Sequence, residues 1–443
     1  MQTSTEIPEV ATGGKVRRTI AILGAGGDLT ERLLLPGIAR VADASPDVEL
    51  HIIGAARTPQ SRDEWRDVVR QSLEGTGVSE DTIDALVSRS DFVPTDASSA
   101  DELRELLEAC PSSPLLYVAL PPVMGEKVAA ALAELDLADD LRIAIEKPFG
   151  ESEESARALN EALAAVVPED RLWRIDHFLG TPAAVELIRS RDRIEASGVP
   201  VADAGSKTED TEGTGDARDA ASPGRVEIIF EEGLGIEGRG AFYDETGALR
   251  DMLQSHLMLM LALTAMGQPD EEPGGLDDAL AEALRAVRLW DEHPVSARRA
   301  RYAAGEVDGK PLEAYVDEDD VDADRGTETL AEITLQVDTP RWRGVPFVLR
   351  SAKAIGEARQ EIVLTPGDGS APTRIPLRAP AGDSSADPYA RVIAGLLTGN
   401  TLLSVRGDVA EELWRIVTPV LEAWESDAGE LPEYAAGTVG ADA

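Results

Sequence analysis

The sequence predicts an α/β half followed by a mixed α+β half, and three observations carry that expectation. From residue 18 to about 150, short apolar strands alternate with amphipathic helices, the pattern of a parallel, doubly wound sheet. After residue 225, strand-like segments occur between long helices and acidic irregular stretches rather than in strict βα alternation. A chain of 443 residues with a single cysteine is long enough for two or three cores and has no internal disulfide.

The elements follow in order. Residues 1–17 read as a polar tail. "RTIAILGAGG" is a strand ending in glycines, and "DLTERLLLPGIARVA" is a helix. "VELHIIGAAR" is a second strand with a helix near 60–75. "PLLYVALPP" is a further strand with a helix near 124–136, and "LRIAIEKPFG" completes the run. Residues 202–224 have almost no bulky apolar side chains and read as a mobile acidic loop. A strand at 225–231 leads through a Gly-rich turn to an apolar helix near 247–266. Past an acidic stretch at 303–327 come the strands "LAEITLQV", "GVPFVLRSAK" and "RQEIVLTP", then helices near 387–397 and 407–425. The expected division is 18–178 for the first domain and 179–443 for the second.

Composition narrows the function. Eighty-three acidic against 42 basic residues give a formal charge of −41, which repels nucleic acid and anionic membranes. The longest strongly apolar run, "LMLMLALTAM", is too short to span a bilayer. The lone Cys110 leaves no multi-cysteine metal site and suits a reducing, cytoplasmic setting. No metal is expected.

Gly24-Ala-Gly26-Gly27-Asp28 stands between a strand and a helix, where glycines let the backbone approach a pyrophosphate and the helix N-terminus favours an anion. Leu29 breaks the full glycine pattern, and Asp28 with Glu31 also reads as a capping box. The second strand ends in Arg57 with no carboxylate before it, which favours NADP over NAD; the alternative is a solvated surface arginine. Four further pieces set polar groups among apolar ones. They are Glu146-Lys147 before Pro148, Asp176-His177, the run from Glu237 through Asp251 to His256, and Lys353 after a strand. On an ordinary helix, Asp251 and His256 occupy adjoining rather than identical faces. His256 beside Met252 and Met260 also reads as a core histidine. A histidine near neutral pKa oriented by a carboxylate suits removal of a hydroxyl proton. With a nicotinamide domain, this suggests alcohol or hemiacetal oxidation.

The segments "GAGGDLTERLLLP", "YVALPP", "IEKPFG", "RIDHFLG", "GIEGRGAFYDETGALRDMLQSHL", "RWRGVPFVLRSAKAI" and the C-terminal "PYARVIAGLLTGNTLLSVRGDVAEELWRIVTPVLEAW" resemble, in order and over nearly the whole chain, those of glucose-6-phosphate dehydrogenases. The resemblance implies a Rossmann-type domain joined to an α+β domain built on a large, mostly antiparallel sheet, and a homodimer or homotetramer. It implies oxidation of glucose 6-phosphate at C1 to the lactone, the first step of the oxidative pentose phosphate pathway. His256 would be the general base, Asp176 its orienting carboxylate, and Lys147 a bridge between sugar and cofactor. Glu237, Asp251 and Lys353 would hold the sugar, and His177 would face its phosphate. Gly24, Gly27, Asp28, Leu29 and Arg32 match the cofactor turn, and Arg57 the 2′-phosphate contact of NADP.

The chain departs from the family where a tyrosine and a lysine normally join that histidine; here Phe178 and Thr181 stand, followed by Pro182. A charge-assisted hydrogen bond is typically worth ~1.5–3 kcal/mol, so the lost lysine contact weakens phosphate binding by about one to two orders of magnitude. Compensation by Arg174, Arg189 or Arg191 is one expectation. The others are C1 oxidation of an unphosphorylated or different aldose, and a non-catalytic paralogue that assembles with a true dehydrogenase. The second basic residue after Lys353 comes one position late, as Arg359, and Glu31 replaces a lysine.

Overall fold

The computed structural model describes residues 15–112, 114–189, 223–270, 274–291, 296–378, 387–427 and 429–439. The 202–224 stretch therefore lies almost wholly outside the described residues, as does most of the N-terminal tail. The chain divides into two compact units, Met1–Pro182 with Ala379–Glu411, and Ala183–Arg378 with Glu412–Ala443. This differs from the expected boundary because the helix Pro388–Thr398, though far along the chain, belongs to the first unit. Its Tyr389, Ala390, Val392, Ile393, Leu396 and Leu397 join the first unit's apolar core.

The first unit is a six-stranded parallel sheet: β1 (Val16–Leu23), β2 (Val48–Ala56), β3 (Ser90–Pro94), β4 (Pro114–Val118), β5 (Arg142–Glu146) and β6 (Leu172–Ile175). Their order, β3-β2-β1-β4-β5-β6, puts the reversal of winding between β1 and β4, the crevice where such sheets bind ligands. Ile20, Ala21, Ile22 and Leu23 of β1 are buried, as a strand covered on both faces requires. Short polar caps start the intervening helices: Ser61 and Glu64 form a reciprocal capping box for Arg62–Leu73, and Ser79, Ser99 and Ser152 cap three others. The Glu80–Ser88 and Ala100–Glu108 helices and the short edge strand β3 were not anticipated from the sequence.

The second unit holds the larger sheet. Its strands are β7 (Pro223–Glu231), β8 (Val287–Leu289), β9 (Arg298–Ala303), β12 (Leu330–Val337), β13 (Phe347–Ala352), β14 (Gln360–Pro366), β15 (Thr373–Pro376) and β16 (Glu433–Ala435); a separate hairpin pairs β10 (Gly305–Val307) with β11 (Lys310–Leu312). The order is β15-β14-β7-β13-β12-β9-β16, with β8 also on β12. Pairings are antiparallel except β7 with β13 and β9 with β16. A nearly uninterrupted apolar helix, Leu249–Leu257 continuing as Met258–Ala265, packs on β7, β12 and β13. Every residue of Met258–Ala265 is buried, so the run "LMLMLALTAM" is core. Among the described residues no helix is long and apolar enough to cross a membrane.

Candidate active site

In the first unit the glycine turn is drawn tightly against the sheet. Gly24 has a φ of +94°, and a Cβ there would stand 2.1 Å from the Ala119 carbonyl oxygen, so only glycine fits. The N–H groups of Gly24 and Ala25 both donate to the Ala55 carbonyl, at 2.9 and 3.2 Å. Gly27 N–H donates to Gly24 O at 3.0 Å and the Thr30 hydroxyl reaches the same oxygen at 3.0 Å. The capping-box reading of Asp28 and Glu31 is not realised: the residue flanking the helical stretch Thr30–Leu34 is Leu29, with no side-chain cap, and Leu29 packs on the core. Asp28 instead meets Arg32 in an exposed pair at 3.2 Å. Arg57 is exposed just past β2. Asp96, past β3, has its carboxyl lowered first by Ser98 and further by the Arg57 and Lys127 charges.

Two strand ends carry the remaining groups of this unit. The Lys147–Pro148 bond is cis, and Lys147 N–H donates to Ile175 O at 3.3 Å, which fixes the end of β5 beside β6. The Glu146 carboxylate accepts from the Tyr117 hydroxyl at 2.5 Å. Burial pushes Glu146 up to about 7, assisted by the Asp176 charge and opposed by the Tyr117 bond and Lys147. Asp176 is fully buried and its Oδ1 accepts from Phe178 N–H at 2.9 Å, capping the one-turn helix His177–Gly180. His177 is half-buried, edge-on to Phe178 and stacked on Tyr389.

The expected compensation by Arg174 does not occur. That guanidinium is 1% exposed and donates to Asn160 Oδ1 at 2.9 Å, Glu169 Oε1 at 2.6 Å and Val405 O at 3.4 Å; its position in the middle of β6 turns it into the fold. Thr181 does not stand in for lysine, since its hydroxyl donates to Phe178 O at 2.6 Å. Arg191 and the Arg189 side chain lie outside the described residues.

In the second unit His256 is 2% exposed, on a stretch of helix, Leu249–Leu257, that has π-type pitch. In a helix bonded i→i+5, residues five apart are about one turn apart, so Asp251 and His256 come round to nearly one face; an ordinary helix would separate them by about 140°. The start of this stretch is held by Glu328, whose Oε1 accepts from Leu249 N–H at 2.9 Å; burial raises the pKa of that carboxyl. Lys353 is 4% exposed, pairs with Glu232 at 2.5 Å and lies 5.3 Å from the centre of the Tyr243 ring. Tyr243 is pushed well above its usual range by burial and then by the Asp251, Glu328 and Glu232 charges. Glu237 is exposed in a turn at φ +50°. The carboxylate beside Lys353 is Glu232, which the sequence reading passed over; its signal was an acidic pair ending an apolar strand. Arg359, one position late, donates to the fully buried Glu231 at 3.2 Å, as Arg350 does at 2.9 Å.

Comparison with known proteins covers both units. Residues 21–184 match the profile "Glucose-6-phosphate dehydrogenase, NAD binding domain", and residues 222–368 and 370–443 match "Glucose-6-phosphate dehydrogenase, C-terminal domain". The chain belongs to the glucose-6-phosphate dehydrogenase family. The glucose-6-phosphate 1-dehydrogenase of Gluconobacter oxydans is 31% identical over 95% of this chain and 93% of its own, and that of Bacillus subtilis 29% over 97% and 96%. A solved glucose-6-phosphate 1-dehydrogenase from Mycobacterium avium superposes with a TM-score of 0.76 at 30% identity, covering 96% of this chain and 95% of that one. A glucose-6-phosphate dehydrogenase in complex with glucose-6-phosphate gives 0.79 at 25%, covering 98% and 97%. The glucose-6-phosphate dehydrogenase fold thus accounts for both the parallel and the mostly antiparallel sheet.

Proposed function

We propose that this chain oxidises glucose 6-phosphate at C1, with NADP as hydride acceptor, to the 6-phosphogluconolactone of the pentose phosphate pathway. The observation that carries the reading is family membership along both units, with a buried histidine on the wide helical turn that brings Asp251 round to its face. The residues present fit a dinucleotide: Gly24 closes the turn where a Cβ would collide, and the exposed Arg57 at the end of β2 suits a 2′-phosphate. Gly24, Gly27, Leu29 and the Thr30 end of the helix would hold the pyrophosphate, with Asp28 and Arg32 flanking it. When bound, the nicotinamide supplies the hydride acceptor.

His256 takes the proton of the C1 hydroxyl as the C1 hydride departs, and Asp176 is its carboxylate partner, stabilising the imidazolium that forms. Lys147, held in register by its backbone bond to β6, bridges sugar and cofactor. Asp251 and Lys353 hold the sugar; the contact expected of Glu237 is better served by Glu232, already beside Lys353. His177 faces the phosphate. Replacing His256 by Asn should abolish turnover and leave NADP affinity nearly unchanged; retention of more than a tenth of kcat would remove His256 from the role of base. Asp176→Asn tests the partner role in the same way, by a loss of kcat with little change in NADP affinity.

One observation favours a second reading, C1 oxidation of an unphosphorylated aldose. The Thr181 hydroxyl and the Arg174 guanidinium are both engaged within the fold, so the cations expected to hold a phosphate are fewer. We further propose a cytoplasmic homodimer or homotetramer, to be checked by light scattering.

A further inference from the structure

The roles proposed above leave Glu146, Tyr117 and Tyr389 unused, yet these three form the most polar part of an otherwise apolar layer. Tyr117, Ala144, Trp173, Ile175 and Tyr389 belong to one buried cluster. Glu146 shares the face of Ala144 two residues before it on β5, because strand side chains alternate. A carboxyl in such a layer is unfavourable unless it is hydrogen-bonded. Here the Tyr117 hydroxyl donates to it at 2.5 Å, and the buried Tyr389 belongs to the same cluster.

The Tyr389 ring lies parallel to the His177 imidazole, centroids 5.3 Å apart and planes 17° apart, while Phe178 meets that imidazole edge-on at 5.3 Å. The helix that carries Tyr389 is anchored to the same turn. Arg391 donates to Gly180 O at 2.8 Å, a Cβ on Gly180 would stand 2.5 Å from Pro388 O, and Asp387 caps the helix through Tyr389 N–H at 2.8 Å while pairing with Arg40. The plane of His177 is therefore set by a ring whose own helix is fixed to the turn that carries the imidazole.

We infer that Tyr389 is a positioning residue for His177: its ring, held by the anchored helix, fixes the plane of the imidazole that meets the substrate's phosphate. The inference rests on the reading of His177 given above. With a phenylalanine at 178 and a threonine at 181, the orientation of this one imidazole carries more of the phosphate recognition than a richer grip would require.

The test is a double-mutant cycle on the full-length protein with glucose 6-phosphate and NADP. Tyr389→Leu should raise the KM for glucose 6-phosphate at least fivefold, with kcat within twofold of the parent and the KM for NADP unchanged. Tyr389→Phe, which keeps the ring that stacks on His177, should stay within twofold of the parent. The decisive arm is His177→Asn combined with Tyr389→Leu, whose KM should match that of His177→Asn alone. Should the leucine variant not fold, Tyr389→Met, which also removes the ring, serves in the same cycle. Multiplying effects in the double variant would overturn the inference while leaving the His177 reading intact. A parental KM in His177→Asn would remove that reading and the inference with it.

Discussion

Replacing Gly26 by alanine separates a nucleotide turn from a merely tight turn. The three glycines of the turn differ in what surrounds them. A Cβ on Gly24 would stand 2.1 Å from a backbone oxygen and one on Gly27 3.2 Å from Gly24 O, whereas at Gly26 no protein atom lies within 4 Å. Gly26 is exposed and does not have a positive φ. The folded chain alone therefore gives no steric reason for glycine at this position. Stability of Gly26→Ala should stay within about 0.5 kcal/mol of the parent, or rise slightly because alanine restricts the unfolded chain. If a pyrophosphate lies over this turn, the added methyl displaces it and loses one or two charge-assisted hydrogen bonds. Even one such bond, at ~1.5–3 kcal/mol, lowers NADP affinity by roughly 10- to 150-fold, and two by more. Calorimetric titration with NADP, alongside urea denaturation of the apo chain, reads both numbers. An unchanged Kd for NADP with unchanged stability would refute the placement of the cofactor on this turn.

Other expectations follow from burial and charge. Glu231→Gln should destabilise by about 3 kcal/mol, because it leaves Arg350 and Arg359 around a neutral group in a fully buried site, whereas Arg359→Ala, at a side chain 39% exposed, should cost about 1 kcal/mol or less in urea denaturation. Glu146 holds its proton up to about pH 7 when folded but not when unfolded. Its contribution is therefore present below the unfolded pKa and is lost as pH rises toward 7. Relative to Glu146→Gln, the parent should lose up to about 3 kcal/mol of stability between roughly pH 4.5 and 7, seen as a pH-dependent gap in denaturation midpoints. Gly24→Ala should lower both stability and NADP affinity, since a steric clash and a positive φ act together there.

The parallel sheet was legible because its strands are apolar on both faces and end in glycine or polar residues. β3 was missed because it is five residues long and mostly half-exposed at the sheet edge. The allegiance of the Pro388–Thr398 helix was not legible, since it depends on contacts with residues about 350 positions earlier, such as Arg40 with Asp387. The wide pitch at Leu249–Leu257 was not legible, because so short a stretch, with Arg250, Asp251, Gln254, Ser255 and His256 among its apolar residues, does not distinguish one helical period from another. Glu231 and Glu232 were not separated from sequence. Glu231 is the last residue of β7 and Glu232 the first beyond it, and the structure sets Glu231 under Arg350 and Arg359 while Glu232 meets Lys353.

The central claim is that this site, with its reduced set of cations, still selects a phosphorylated sugar. Specificity constants for glucose 6-phosphate and glucose, measured side by side with saturating NADP, test it most directly. A kcat/KM for glucose 6-phosphate at least tenfold above that for glucose is the predicted result, and an equal or larger value for the free sugar would contradict it.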